Sequence, residues 1–234
     1  MNKFIQAIKK LDIPSVSELL KKNPEWLGWS EENGKNALHY LCGLDIAKDP
    51  QKIEASFQLL KLLLDRGMDM NAVHQLPDNC GFFPATPLWY AYTRGRNETL
   101  YTYLLEKGAN PNHCLFAIAW NDDVQAANLF KKYGASLADA AGGDTPFLAA
   151  FTWKRFNIAS WFLENGVDVN IADSEGNTAL FYAVKRKYKL EQIDLLIQFG
   201  ADFNKENNDG ISPKKLAELN NQSGVLRLEK RRLL

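Results

Sequence analysis

Cysteine is scarce: Cys42, Cys80 and Cys114 stand far apart in a chain of 234 residues. A sparse, odd set excludes a disulfide framework and suits a reducing compartment, so three free thiols are expected. Net charge is lacking too, since Lys plus Arg and Asp plus Glu number 28 each. That balance argues against a partner held by bulk electrostatics, such as duplex nucleic acid or an anionic membrane. No apolar run approaches the roughly 18 residues of a membrane span. The opening MNKFIQAIKK has no long apolar core of the kind a secretory signal needs. Together these absences predict a folded, cytoplasmic protein, and 46% apolar residues argue against disorder.

Catalytic signatures are missing as well. There is no Gly-rich phosphate loop, no His-Glu-x-x-His and no Gly-x-Ser-x-Gly. The three histidines, His39, His74 and His113, have no further ligands at metal-site spacing around them. A nucleophile pair of Cys80 and His74 is conceivable on the long loop 68–87, but nothing in the sequence orients it. Neither an enzyme nor a cofactor is expected.

What is present is a period. The phrase Gly67-Met68-Asp69-Met70-Asn71 returns as Gly108-Ala109-Asn110-Pro111-Asn112, Gly166-Val167-Asp168-Val169-Asn170 and Gly200-Ala201-Asp202-Phe203-Asn204, with a worn copy at Gly134-Ala135-Ser136. From Gly67 onward the intervals are 41, 26, 32 and 34 residues. A second phrase alternates with the first: Asn36-Ala37-Leu38-His39, Thr86-Pro87-Leu88-Trp89, Thr145-Pro146-Phe147-Leu148, Thr178-Ala179-Leu180-Phe181 and Ser212-Pro213. Thr or Ser before Pro reads as a helix start, with the hydroxyl accepting an orphan N–H and proline in the first turn. The recurring glycine reads as a helix stop at positive φ. Pairs of short helices cannot bury their own apolar faces, so they are expected to stack into a solenoid.

These strings resemble the ankyrin repeat family, most clearly Gly-Asp-Thr-Pro-Phe-Leu-Ala-Ala at 143–150 and Gly-Asn-Thr-Ala-Leu-Phe-Tyr-Ala at 176–183. The resemblance implies an all-α ankyrin-repeat solenoid of about six to seven helix-turn-helix repeats. It covers 1–234 as one domain, with repeats at 2–32, 33–80, 81–112, 113–142, 143–175 and 176–209 and a capping pair at 210–234. The 21-residue stretch from Gly67 to Leu88 is expected to project or to fold over a neighbour. The 7 residues from Gly108 to Leu115 are too few for the usual hairpin finger. His39, in the family's Thr-Pro-Leu-His position, is expected to play a structural hydrogen-bonding part.

The family commonly holds partners on hairpin tips and along the first helix of each pair. By position this implies that Thr93, Arg94, Trp120, Asn121, Thr152, Trp153, Lys185 and Arg186 face a partner. Ser174, Glu175, Asn177, Ala140, Ala141 and Asp144 are the corresponding tip residues. Trp and Arg supply most interface hot spots, each costing roughly 2 kcal/mol or more when truncated. The chain is therefore expected to be a monomeric, non-catalytic module that binds another protein. An alternative is association with nucleic acid through the C-terminal third, where Lys185-Arg186-Lys187-Tyr188-Lys189 opens a stretch with 11 basic and 7 acidic residues from Leu180 onward.

Overall fold

A computed structural model describes residues 2–78, 81–138 and 144–232. Cys80, Ala140 and Ala141 lie outside the described residues. Within them run fourteen α-helices, arranged in the chain as seven consecutive pairs, and one two-stranded sheet. The chain divides into two compact units, Met1–Cys114 with Lys132–Ala135 and Leu115–Lys131 with Ser136–Leu234.

The first unit holds the pairs α1 (Lys3–Lys10) and α2 (Ile13–Lys22), α3 (Ala37–Cys42) and α4 (Pro50–Asp65), and α5 (Pro87–Thr93) and α6 (Glu98–Glu106). Here α3 packs between α1 and α5, and α4 packs on α6. The second holds α7 (Leu115–Trp120) and α8 (Val124–Lys132), α9 (Pro146–Thr152) and α10 (Phe156–Glu164), α11 (Ala179–Lys185) and α12 (Leu190–Gln198), and α13 (Pro213–Leu219) and α14 (Ser223–Arg232). Its first-of-pair helices stack in order, α7 on α9, α9 on α11 and α11 on α13.

Local chemistry sets these elements. The hydroxyls of Thr86, Thr145, Thr178 and Ser212 accept the backbone N–H three residues on at 3.2–3.3 Å. Removing such a cap typically costs about 1 kcal/mol. Leu88 and Ala91, Phe147 and Ala150, and Leu180 and Ala183 are fully buried, so the narrow face read from the sequence is where neighbouring helices meet. The second helices add Leu59, Leu60 and Leu63 in one unit and Ile158, Phe162, Ile193 and Leu196 in the other. Truncating a buried phenylalanine such as Phe162 costs roughly 3–5 kcal/mol.

Within six of the pairs the link between helices turns on a residue other than glycine at positive φ. These are Leu11, Arg96, Asp122, Lys154, Lys187 and Asn221, all between +46° and +61°. The second pair instead carries the insertion ahead of Pro50, which lets α4 run to 16 residues.

The stretch after Gly67 folds as an antiparallel hairpin, β1 (His74–Asp78) with β2 (Gly81–Ala85), in register from His74 opposite Ala85 to Asp78 opposite Gly81. It is docked on its neighbour: the Gln75 N–H donates to the Asn33 carbonyl at 2.8 Å. Gly34 makes that approach possible, because at φ +87° a Cβ there would sit 2.2 Å from the Val73 carbonyl oxygen. Among the described residues, the short connection after Gly108 forms no strand.

Candidate functional site

Every first-of-pair helix of the second unit ends in the same turn, and these turns carry six of the residues singled out from the sequence. Trp120 is the last residue of α7 and 55% exposed; Trp153 caps the C-terminus of α9 and is 37% exposed. The stacking of α7 on α9 brings their rings together edge to face, with centroids 5.0 Å apart. The Arg155 guanidinium lies over the Trp120 ring at 5.5 Å. One repeat on, the Arg186 guanidinium donates to the Thr152 carbonyl at 2.9 Å and lies 4.9 Å from the Tyr182 ring centroid. The Tyr188 hydroxyl donates to the same carbonyl at 3.1 Å. Lys154 stands over the Tyr188 ring and Lys185 over Phe181. Lys185, Arg186 and Asn121 are exposed.

The structure thus joins Trp120, Trp153, Thr152 and Arg186 into one contiguous patch. The Thr152 hydroxyl turns back onto its own helix, donating to the Ala149 carbonyl at 3.0 Å. In the first unit Thr93 behaves likewise, donating to the Trp89 carbonyl at 2.7 Å, while exposed Arg94 reaches over the Trp89 ring. Sequence phase found the turns but missed Arg155 and Lys154. The signal was there in the run Trp153-Lys154-Arg155, directly beside a residue already singled out.

Other candidates resolve into structural parts. His39 is fully buried: its Nδ1 accepts the Asn36 N–H at 3.2 Å, and its Nε2 lies 3.1 Å from the Ala85 carbonyl oxygen, to which it donates. Burial holds its proton affinity down to about 4, with the neighbouring His74 adding to that effect. His74, the conceivable partner of Cys80, is buried with its Nδ1 2.8 Å from the Tyr90 hydroxyl. It stands in a ring cluster with His39 and Tyr90, so it is no mobile loop base. Cys42 and Cys114 are free thiols and buried, and burial pushes the Cys42 thiol well above its ordinary value.

Among the tip residues, Asn177 is buried; its side chain donates to Glu175 and accepts from Asn207. A tyrosine braces each of two tips: Tyr40 donates to Glu31, and Tyr182 donates to Asp173 at 2.6 Å. Burial and these carboxylates push both phenols up to about 12. Among the described residues no three His, Cys, Asp or Glu side chains converge as metal ligands would, and no helix is long and apolar enough to cross a membrane.

Seven consecutive helix pairs, six of them joined by a tight turn and four opened by a Thr or Ser cap, define a helical repeat protein. Residues 115–207 match the family model for ankyrin repeats, in three copies. The chain is 34% identical over 111 residues to an ankyrin repeat protein of Rickettsia bellii, a match covering 46% of this chain and 45% of that one. It is 32% identical over 112 residues to an ankyrin repeat-containing protein of Schizosaccharomyces pombe, covering 48% and 52%. The matched stretch spans about half the length of these curated relatives. Among solved structures, the ankyrin repeat domains of human ASB11 and of Bcl-3 superpose with TM-scores of 0.69 and 0.72. Both are 20% identical to the chain, and each match covers 97% of this chain and 98% of the other. Residues 115–207 therefore carry ankyrin repeats, and over nearly its whole length the chain has the fold of ankyrin repeat domains. Ankyrin repeat domains are in general protein–protein interaction modules and are typically non-catalytic.

Proposed function

We propose that this chain is a non-catalytic binding module of the cytoplasm that holds a partner protein on the turns closing its first-of-pair helices. The observation that carries this reading is the pairing of Trp120 with Trp153, two large aromatics in edge-to-face contact at 5.0 Å and still 55% and 37% exposed. Tryptophan is among the residues most enriched at interface hot spots. Neighbouring helices fix both rings, so little conformational freedom is lost when a partner covers them. Arg186, Lys185 and Asn121 extend the surface, and Arg94 with Thr93 offers the equivalent turn in the first unit. Two free, buried thiols agree with a reducing compartment.

The test is affinity capture from native lysate with wild-type chain and with Trp120→Ala/Trp153→Ala, both first shown to be folded by circular dichroism. The double variant should lose the proteins that wild type retains. Retrieval of the same set by both would remove the reading.

A further inference from the structure

The three turns that follow α7, α9 and α11 differ in charge from the chain as a whole. Residues 120–123, 153–155 and 185–189 hold six cations, Lys154, Arg155, Lys185, Arg186, Lys187 and Lys189, against Asp122 and Asp123. Both carboxylates are occupied. Asp122 accepts the Ile158 N–H at 2.8 Å and the Asn157 side chain at 2.7 Å, and Asp123 accepts the Ala126 N–H at 2.9 Å. Among the described residues none of the six cations forms an ion pair with a carboxylate. Four of them lie instead against rings or a carbonyl: Lys154 on Tyr188, Arg155 on Trp120, Lys185 on Phe181, and Arg186 on Tyr182 and Thr152. The Arg155 Nε is buried with no acceptor, so its hydrogen-bonding capacity is only partly used.

Resting on the reading of these turns as a protein-binding surface, we infer that the second unit takes an extended acidic peptide segment carrying an apolar side chain. The apolar side chain covers the Trp120–Trp153 pair, and the carboxylates on either side meet the cations of the next two turns. Charge complementarity chooses the class, since unpaired like charges beside an apolar anchor favour the opposite sign and penalise their own. A nucleic acid is the less favoured occupant. The chain as a whole carries 28 basic and 28 acidic residues, so it has no net positive charge to draw a polyanion.

The experiment is selection from a phage-displayed library of short random peptides on the full chain. Synthetic copies of the selected peptides are then titrated by fluorescence anisotropy, with a labelled oligothymidylate beside them. Selected peptides should be rich in Asp and Glu around an aromatic or aliphatic residue. Their affinity should fall at least about ten-fold when Asp and Glu become Asn and Gln, and equally on Lys154→Glu/Lys187→Glu, whose fold circular dichroism checks. Peptides without an acidic excess, no selected peptides, indifference to the charge reversal, or oligothymidylate binding as tightly as the peptides would each overturn the inference. If the Trp120→Ala/Trp153→Ala chain nonetheless loses its captured partners, only the acidic-peptide chemistry falls. If that variant keeps them, the binding surface itself falls.

Discussion

Asn170 ties one helix pair to the next: its Oδ1 accepts the Asp202 N–H at 2.7 Å, and its Nδ2 donates to the Gly200 carbonyl at 3.2 Å. Asn71 does the same in the first unit, accepting the Asn110 N–H at 2.8 Å. The aspartate two places earlier prepares each strut, because Asp168 and Asp69 accept the N–H of Asn170 and Asn71 at 2.9 and 2.8 Å. Asn170→Ala should therefore lower stability by about 1–2 kcal/mol, the usual cost of an unmet backbone donor. Asn170→Asp, which keeps the acceptor, should cost less. Urea midpoints measure both; an unchanged midpoint for Asn170→Ala would show that water serves Asp202 equally well.

His39 makes stability depend on pH. An unfolded histidine takes up a proton near pH 6.5, whereas folded His39 resists until about 4, chiefly because it is buried. Between those values the unfolded chain binds more protons, so stability is complete above pH 6.5 and declines as pH falls towards 4. The loss amounts to roughly 3 kcal/mol at most, and it levels off below. Burial shifts His74 in the same direction. His39→Gln keeps a donor for the Ala85 carbonyl and has no proton to gain, so its urea midpoint should fall less between pH 6.5 and 4 than that of wild type. Parallel curves would assign the pH dependence to other groups.

Much of this architecture was legible because a repeat states its own rule several times. Thr145-Pro146, Thr178 and Ser212-Pro213 each predicted a capped helix, and each forms one. The family resemblance, carried over by position, pointed to Trp120 and Trp153, and both stand partly exposed at helix ends. The hairpin at residues 74–85 was hidden, since His-Gln-Leu-Pro-Asp and Gly-Phe-Phe-Pro-Ala each contain a proline and show no clean alternation. It forms because Gln75 and His74 find partners on the preceding pair and on Tyr90, contacts distant in sequence. The stacking of Arg155 on Trp120 was hidden for a related reason: period tells which turn a residue occupies, not which ring its side chain covers. The Asp-x-Asn ending was visible, but its task of bridging neighbouring pairs appears only in three dimensions.

Gly95 shows a close backbone approach that no helix-stop rule would identify. A Cβ there would lie 2.1 Å from the carbonyl oxygen of Cys42, the last residue of α3, and 3.3 Å from that of Leu44 just beyond it. The obstacle is main chain, so relief requires α3 and α5 to separate. Gly95→Ala should destabilise the first unit by about 1–3 kcal/mol, the range for overpacking a tight interface. Hydrogen exchange should show the added opening in α3 and α5; wild-type protection there would mean the helices part at little cost.

Arg96, the next residue, offers the opposite case. It is exposed and held at φ +46°, in the left-handed region where a side chain costs about 1–2 kcal/mol. Glycine removes that cost but gives the unfolded chain more freedom to lose, roughly 0.4–1 kcal/mol. The balance leaves Arg96→Gly more stable by about 0.5 kcal/mol, whereas Arg96→Val, branched at Cβ, should be less stable than wild type. Ranking the three urea midpoints as Gly, Arg, Val would confirm that the turn is strained. If glycine ranked below arginine, the Arg96 side chain would have to be supplying more to the fold than the left-handed turn takes away.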